Sequence, residues 1–157
     1  KNYYYSSVSW HIPPKYLNDN EYENKILFCV VRNPYTRIIS EYKYRREKKD
    51  LNEWIKSLPK KLKNNPNYLS YHLVPQIEYI KKKNNSINTN INILKFETLN
   101  KDFKDFAVKY NLPFTKLPIK NKSNNYNNVT LDHLSLDSKK IIQDIYKEDF
   151  EYFNYKI

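Results

Sequence analysis

Residues Phe28 to Tyr42 read Phe-Cys-Val-Val-Arg-Asn-Pro-Tyr-Thr-Arg-Ile-Ile-Ser-Glu-Tyr and hold the side chains best suited to anion chemistry. Arg32 directly follows a continuous apolar run, and Ser40 lies two helical turns further on. A guanidinium offers phosphate a fixed two-pronged donor, and a hydroxyl adds a neutral one. At the carboxyl end of a parallel strand, where open α/β sheets bind ligands, that pair would grip a phosphate. The residue types alone equally allow an arginine that leaves the sheet into water and a serine on a helix surface.

The elements that must position this pair follow from periodicity. Ile26 to Val31 is too short and too rich in strand formers for a helix, and reads as a strand buried on both faces. Asn33 can cap, and Pro34 can open, a helix whose apolar stripe is Ile38, Ile39 and Tyr42. A second helix begins at Asp50, which has capping-box spacing to Glu53, and Pro59 is expected to end or kink it. Residues 60–67 read as a linker and 81–90 as a solvated loop. Ile91 to Phe96 form another strand, and Leu99, Phe103, Phe106, Ala107 and Tyr110 recur behind it at helical spacing. Leu134 to Tyr146 mark a terminal helix, and the strand–helix pairing therefore occurs twice.

Composition narrows the possibilities further. The chain has 157 residues, enough for one domain. Its formal charge is +11, which makes anions natural partners. It contains no glycine, so no glycine-rich loop within it wraps a phosphate, and a Walker-type loop and a dinucleotide fingerprint are both excluded. A start at Lys1 without any methionine reads as a piece of a longer or processed chain. The single Cys29 allows no internal disulfide, and no apolar run reaches the length of a membrane span. Low hydropathy and high charge lean towards disorder, but sixteen Tyr, seven Phe and two Trp at periodic positions argue for a packed core.

The order strand, Arg32-Asn33-Pro34, Arg37, Ser40-Glu41-Tyr42 resembles the 3′-phosphate-binding motif of sulfotransferases that use 3′-phosphoadenosine-5′-phosphosulfate (PAPS), in particular the carbohydrate sulfotransferases of the secretory pathway. Three further segments resemble that family: His72-Leu73-Val74-Pro75-Gln76, the strand-end turn Lys95-Phe96-Glu97-Thr98, and the ending from Ile145 to Tyr155. The resemblance runs from about Trp10 to the end. It implies a single domain over 1–157, of α/β class, with a P-loop-NTPase-like parallel sheet flanked by helices. It also implies PAPS as donor with no metal, and a carbohydrate acceptor, anionic glycans included. Arg32 and Ser40 inherit contacts to the 3′-phosphate. Lys122 and Ser123, with Lys120, lie where relatives place a late nucleotide-contacting loop, although a solvated loop explains them too. His11, in Ser9-Trp10-His11-Ile12-Pro13, resembles a segment that carries a catalytic histidine in relatives, and is the candidate base; a packed loop histidine is the alternative. His72 reads as structural or acceptor-positioning, and His133 as a surface residue at the start of a helix.

One departure stands out. Relatives carry an upstream strand and loop that hold the 5′-phosphosulfate, and neither is found here, so the domain is expected to be incomplete at its N-terminus. Relatives work in the Golgi lumen behind an anchor that would lie upstream of Lys1. Two other functions compete: a basic nucleic-acid-binding module, suggested by charge and aromatics, and a sulfotransferase-like domain that binds without turnover. Against nucleic acid, the aromatics fall on core stripes.

Overall fold

The computed structural model describes residues 11–17, 24–114, 116–118 and 128–157. Strand β1 is Leu27–Val31 and strand β2 is Ile91–Lys95; they pair in parallel with Leu27 opposite Ile91 and Val31 opposite Lys95. Among the described residues this is the sheet, and helices flank it. Helix α1 (Pro34–Arg45) follows β1, and α3 (Leu99–Lys109) follows β2. The strand–turn–helix unit thus occurs at both places where the apolar pattern changes period.

Local chemistry sets the element ends. Asn33 accepts a hydrogen bond from the Tyr35 amide, with Pro34 at the first helical position of α1. Asp50 accepts from the amides of Asn52 and Glu53 and opens helix α2 (Leu51–Asn64). Pro59 does not end α2, one of the two effects expected of it. The stripe Leu51, Trp54, Ile55, Leu58 continues to Leu62, which packs on the same core, so apolar burial outweighs the lost backbone bond. The expected terminal helix is α4 (Leu136–Ile145); a 3-10 turn at Leu131–His133 precedes it, and a further helix, α5 (Lys147–Tyr152), follows.

Two clusters form the interior. The larger joins α1, α2, α4 and α5 through Ile38, Tyr42, Trp54, Ile142, Tyr146 and Phe150. The smaller lies under the sheet, where Val31 meets Ile77, Ile80 and Phe153. Ile87, in the expected solvated loop, packs against it and forms an antiparallel bridge with Lys81. The expectation that β1 is buried on both faces holds on one face only. Cys29 and Val31 lie against the smaller cluster, while Phe28 and Val30 remain 49% and 39% exposed. On that side Phe28 meets Phe103 and Phe106 of α3, whose rings do not extend over Val30 enough to cover it.

A glycine-free chain must place other residues in the left-handed region. Nine described residues have positive φ, and five are asparagines: Asn24, Asn85, Asn111, Asn128 and Asn154. Asparagine tolerates that region better than other non-glycine residues, so part of the asparagine excess has a structural use. The remaining four include three in succession, Leu69, Ser70 and Tyr71, with φ of 56°, 55° and 69°. Each such residue costs about 1–2 kcal/mol, and the run leads directly into His72. Ser70→Gly is therefore expected to raise stability by about 0.5–1 kcal/mol, after the larger chain entropy of glycine is offset. A denaturant titration showing a loss of stability would refute that strain.

Candidate anion-binding and transfer site

The carboxyl end of β1 opens onto two adjoining cavities of about 310 and 250 Å³. The first is lined by His11, Arg32, Arg37, Ser40, His72 and Tyr79, among others. The second is lined by Arg32, Thr36, Ser40, Lys43, Thr130 and Leu131, with Ile39. Arg32 and Ser40 belong to both and separate them. A larger cavity, about 790 Å³, lies at the opposite ends of the strands beside Leu27, Ile91 and Lys81 to Lys83. Ligands of open α/β sheets sit at the carboxyl ends, which favours the smaller pair.

Arg32 is held from three sides. Its backbone amide donates to Gln76 Oε1 at 2.8 Å, and its carbonyl accepts from Gln76 Nε2 at 2.8 Å. Its Nε donates to Thr36 Oγ1 at 3.0 Å, and the guanidinium stacks 4.4 Å from the Phe96 ring centroid. Both terminal guanidinium nitrogens are left without a hydrogen-bond partner among the described residues, as is the Ser40 hydroxyl. Burial presses the Arg32 pKa below its ordinary value, with Glu97 and Tyr155 pulling it back. Glu97 in turn accepts from the Asn33 amide at 2.8 Å and from the Tyr155 hydroxyl at 3.0 Å, tying the end of β2 to the turn after β1.

Gln76 is itself anchored by Asp149. The Asp149 carboxyl is fully buried and accepts from the Gln76 amide at 2.8 Å, from Gln76 Nε2 at 3.3 Å and from the Ile77 amide at 2.8 Å. Burial holds the Asp149 pKa above its ordinary value, and the three N–H donors and Arg37 offset part of the rise. A chain of polar contacts thus runs from α5 to the backbone of Arg32.

Arg37 reaches the other way. Its Nη2 donates to the carbonyls of His72 and Val74 at 2.7 and 2.8 Å, while Nη1 is buried with no partner among the described residues. His72 Nδ1 lies 3.1 Å from Glu41 Oε2, and Arg45 Nε donates to Glu41 Oε1 at 2.7 Å. The rings of His11 and His72 are 4.5 Å apart. Tyr79 donates its hydroxyl to the His11 carbonyl at 2.8 Å. Burial, then the neighbouring His72, lowers the His11 pKa from its ordinary value, with Glu41 opposing. Burial pushes the Cys29 thiol up to about 11, which removes it as a nucleophile. Iodoacetamide at pH 8 is accordingly expected to label native Cys29 much more slowly than the unfolded chain; equal rates by mass spectrometry would contradict this.

The structure therefore brings His11, Arg32 and Ser40 together, whereas Lys122 and Ser123 lie outside the described residues. Sequence reasoning missed Gln76, Asp149 and the pairing of Glu41 with His72. The only signal for them was their place in the matched segments, which named residues without partners. His133 caps its turn: the Thr130 amide donates to its Nδ1 at 3.1 Å. Among the described residues no group of three or more His, Cys, Asp or Glu is placed to hold a metal ion, and no helix is long and apolar enough to cross a membrane.

No curated protein matches the chain, and no solved structure does. The family model described as the sulfotransferase family matches residues 7–156, nearly the whole length and every residue of both cavities described above. With an arginine–serine pair at a strand's carboxyl end and that match across it, the chain belongs to the sulfotransferase family.

Proposed function

We propose that the protein transfers a sulfuryl group from PAPS to a hydroxyl of a carbohydrate acceptor, within a P-loop-like α/β architecture. Membership of the family carries the general reaction, sulfuryl transfer. The observation that carries the donor assignment is the Arg32–Ser40 pair standing between two cavities with its terminal donors unpaired among the described residues. A phosphate would take the Arg32 fork and the Ser40 hydroxyl together. Lys122 and Ser123 are proposed as further nucleotide contacts.

When bound, the donor supplies an activated sulfuryl group whose departure leaves negative charge on a phosphate oxygen. The buried Arg37 Nη1, which has no acceptor among the described residues, suits an anionic oxygen in the larger of the two cavities. The attacking hydroxyl must lose a proton, and the histidine pair lies in that cavity; His11, whose pKa burial lowers, is the member singled out by its sequence context. No step in this reading requires a metal.

Adenosine 3′,5′-bisphosphate keeps the groups that Arg32 and Ser40 would hold and is the direct probe. It is expected to raise the melting temperature of the full-length protein in a saturable manner. No shift would overturn the donor assignment. Binding of single-stranded nucleic acid that weakens steeply with salt and ignores Arg32 would instead favour the competing class.

A further inference from the structure

We infer that His72, oriented by Glu41, is the group that takes the proton of the attacking hydroxyl, with His11 as its ring neighbour in the same cavity. This deepens the proposed transfer reaction and rests on it. The geometry is that of a base and its orienting partner. Glu41 accepts from Arg45 Nε at 2.7 Å, and as the acceptor of the 3.1 Å contact as well it places the proton on His72 Nδ1. The lone pair then resides on Nε2, as a general base requires.

The backbone supports the same conclusion. Three consecutive residues with positive φ, Leu69, Ser70 and Tyr71, carry the chain into His72. Such strain persists only where surrounding structure over-determines it, and it concentrates at functional sites. Here Arg37 pins the carbonyls on either side of Leu73, and the His72 amide donates to the Leu69 carbonyl at 3.1 Å. Tyr44 stacks on the imidazole at 6.1 Å with the planes 16° apart. Backbone, ring plane and Nδ1 of His72 are thus all fixed from one helix, α1, by Arg37, Tyr44 and Glu41.

In the transfer step the acceptor O–H bond breaks and its proton moves to His72 Nε2. The acceptor oxygen bonds to sulfur, and the bond from sulfur to the nucleotide's bridging oxygen breaks, its electron pair staying on the phosphate. Glu41 stabilises the resulting imidazolium, which returns its proton to solvent.

Two measurements test this on the full-length protein. Long-range proton–nitrogen NMR correlation should show His72 protonated on Nδ1, with Glu41→Gln shifting it towards the other tautomer and Glu41→Asp keeping the original one. Protonation of Nε2 in the unaltered protein overturns the inference, whatever the acceptor. With PAPS and desulfated glycosaminoglycan chains, His72→Gln should lower kcat about 10²–10⁴-fold with the donor KM unchanged. The shift given by adenosine 3′,5′-bisphosphate should persist in that variant. Turnover unaffected by His72→Gln overturns the base assignment and leaves the donor site standing. No turnover in the unaltered protein, with the tautomer as expected, overturns the transfer reading itself and with it the catalytic role of His72.

Discussion

Arg32→Ala is expected to abolish the stabilisation that adenosine 3′,5′-bisphosphate gives the protein, while the melting temperature without ligand falls by about 2–8 °C. The second half of this expectation follows from where the anchoring lies. Gln76 bonds the backbone N–H and C=O of Arg32, and alanine keeps both. The side chain contributes one bond, to Thr36, and a stack on the half-exposed Phe96 ring, together about 1–2 kcal/mol. The first half follows from charge. A ligand at a hundred times its Kd stabilises by about 2.7 kcal/mol, or roughly 5–10 °C for a domain of this size. Losing a two-pronged guanidinium–phosphate contact, at about 1.5–3 kcal/mol for each charged bond, raises Kd enough to erase that shift. Ser40→Ala removes one neutral donor, about 1 kcal/mol, and should leave a reduced but measurable shift. Arg32→Lys keeps the charge without the fork and should fall between them. Differential scanning fluorimetry of the four proteins decides the matter, and an undiminished shift in Arg32→Ala would remove the arginine from the site.

Asp149→Ala is expected to cost about 3–5 kcal/mol in urea unfolding, a large part of the stability of an ordinary domain. Alanine there leaves the Gln76 and Ile77 amides buried without acceptors and removes one of the two contacts of Gln76 Nε2. Asp149→Asn keeps one acceptor oxygen but turns an amine towards a second N–H, so its loss should be smaller. Where Asp149→Asn still folds, ligand binding should weaken as well, because Gln76 then positions the Arg32 backbone less firmly. Gln76→Ala tests that coupling from the other side: the same weakening is expected, with Arg32 itself intact. A midpoint in Asp149→Ala within experimental error of the unaltered protein would show that the buried carboxyl holds nothing together.

Much of the local structure was legible in the residues. Ile26 to Val31 announced a strand, Asn33-Pro34 the start of α1, and Asp50 the start of α2, and each is found where its signal lies. The Arg32–Ser40 spacing placed both on one side of a strand–helix turn, and both line the same cavities. Pro59 fails to end α2 for a physical reason: a helix breaker is a local cost, and Leu62 offsets it through contact with a core built from distant segments. The exposed Phe28 and Val30 were misread because an apolar run does not say what covers each face.

By itself, then, the sequence determined the interactions that span a few residues: caps, periodic stripes, the exclusion of glycine-rich phosphate loops, and the arginine and serine that offer donors to an anion. Only the tertiary structure decided which groups hold that arginine and which histidine receives a carboxylate. Asp149 meets Gln76 across 73 positions, Gln76 meets Arg32 across 44, and Glu41 meets His72 across 31. Such contacts exist only after α1, the 3-10 turn at Gln76–Ile80 and α5 have packed together. No spacing rule within one element encodes them, because their geometry is set by the burial of Ile38, Tyr146 and Phe150 rather than by their own chemistry.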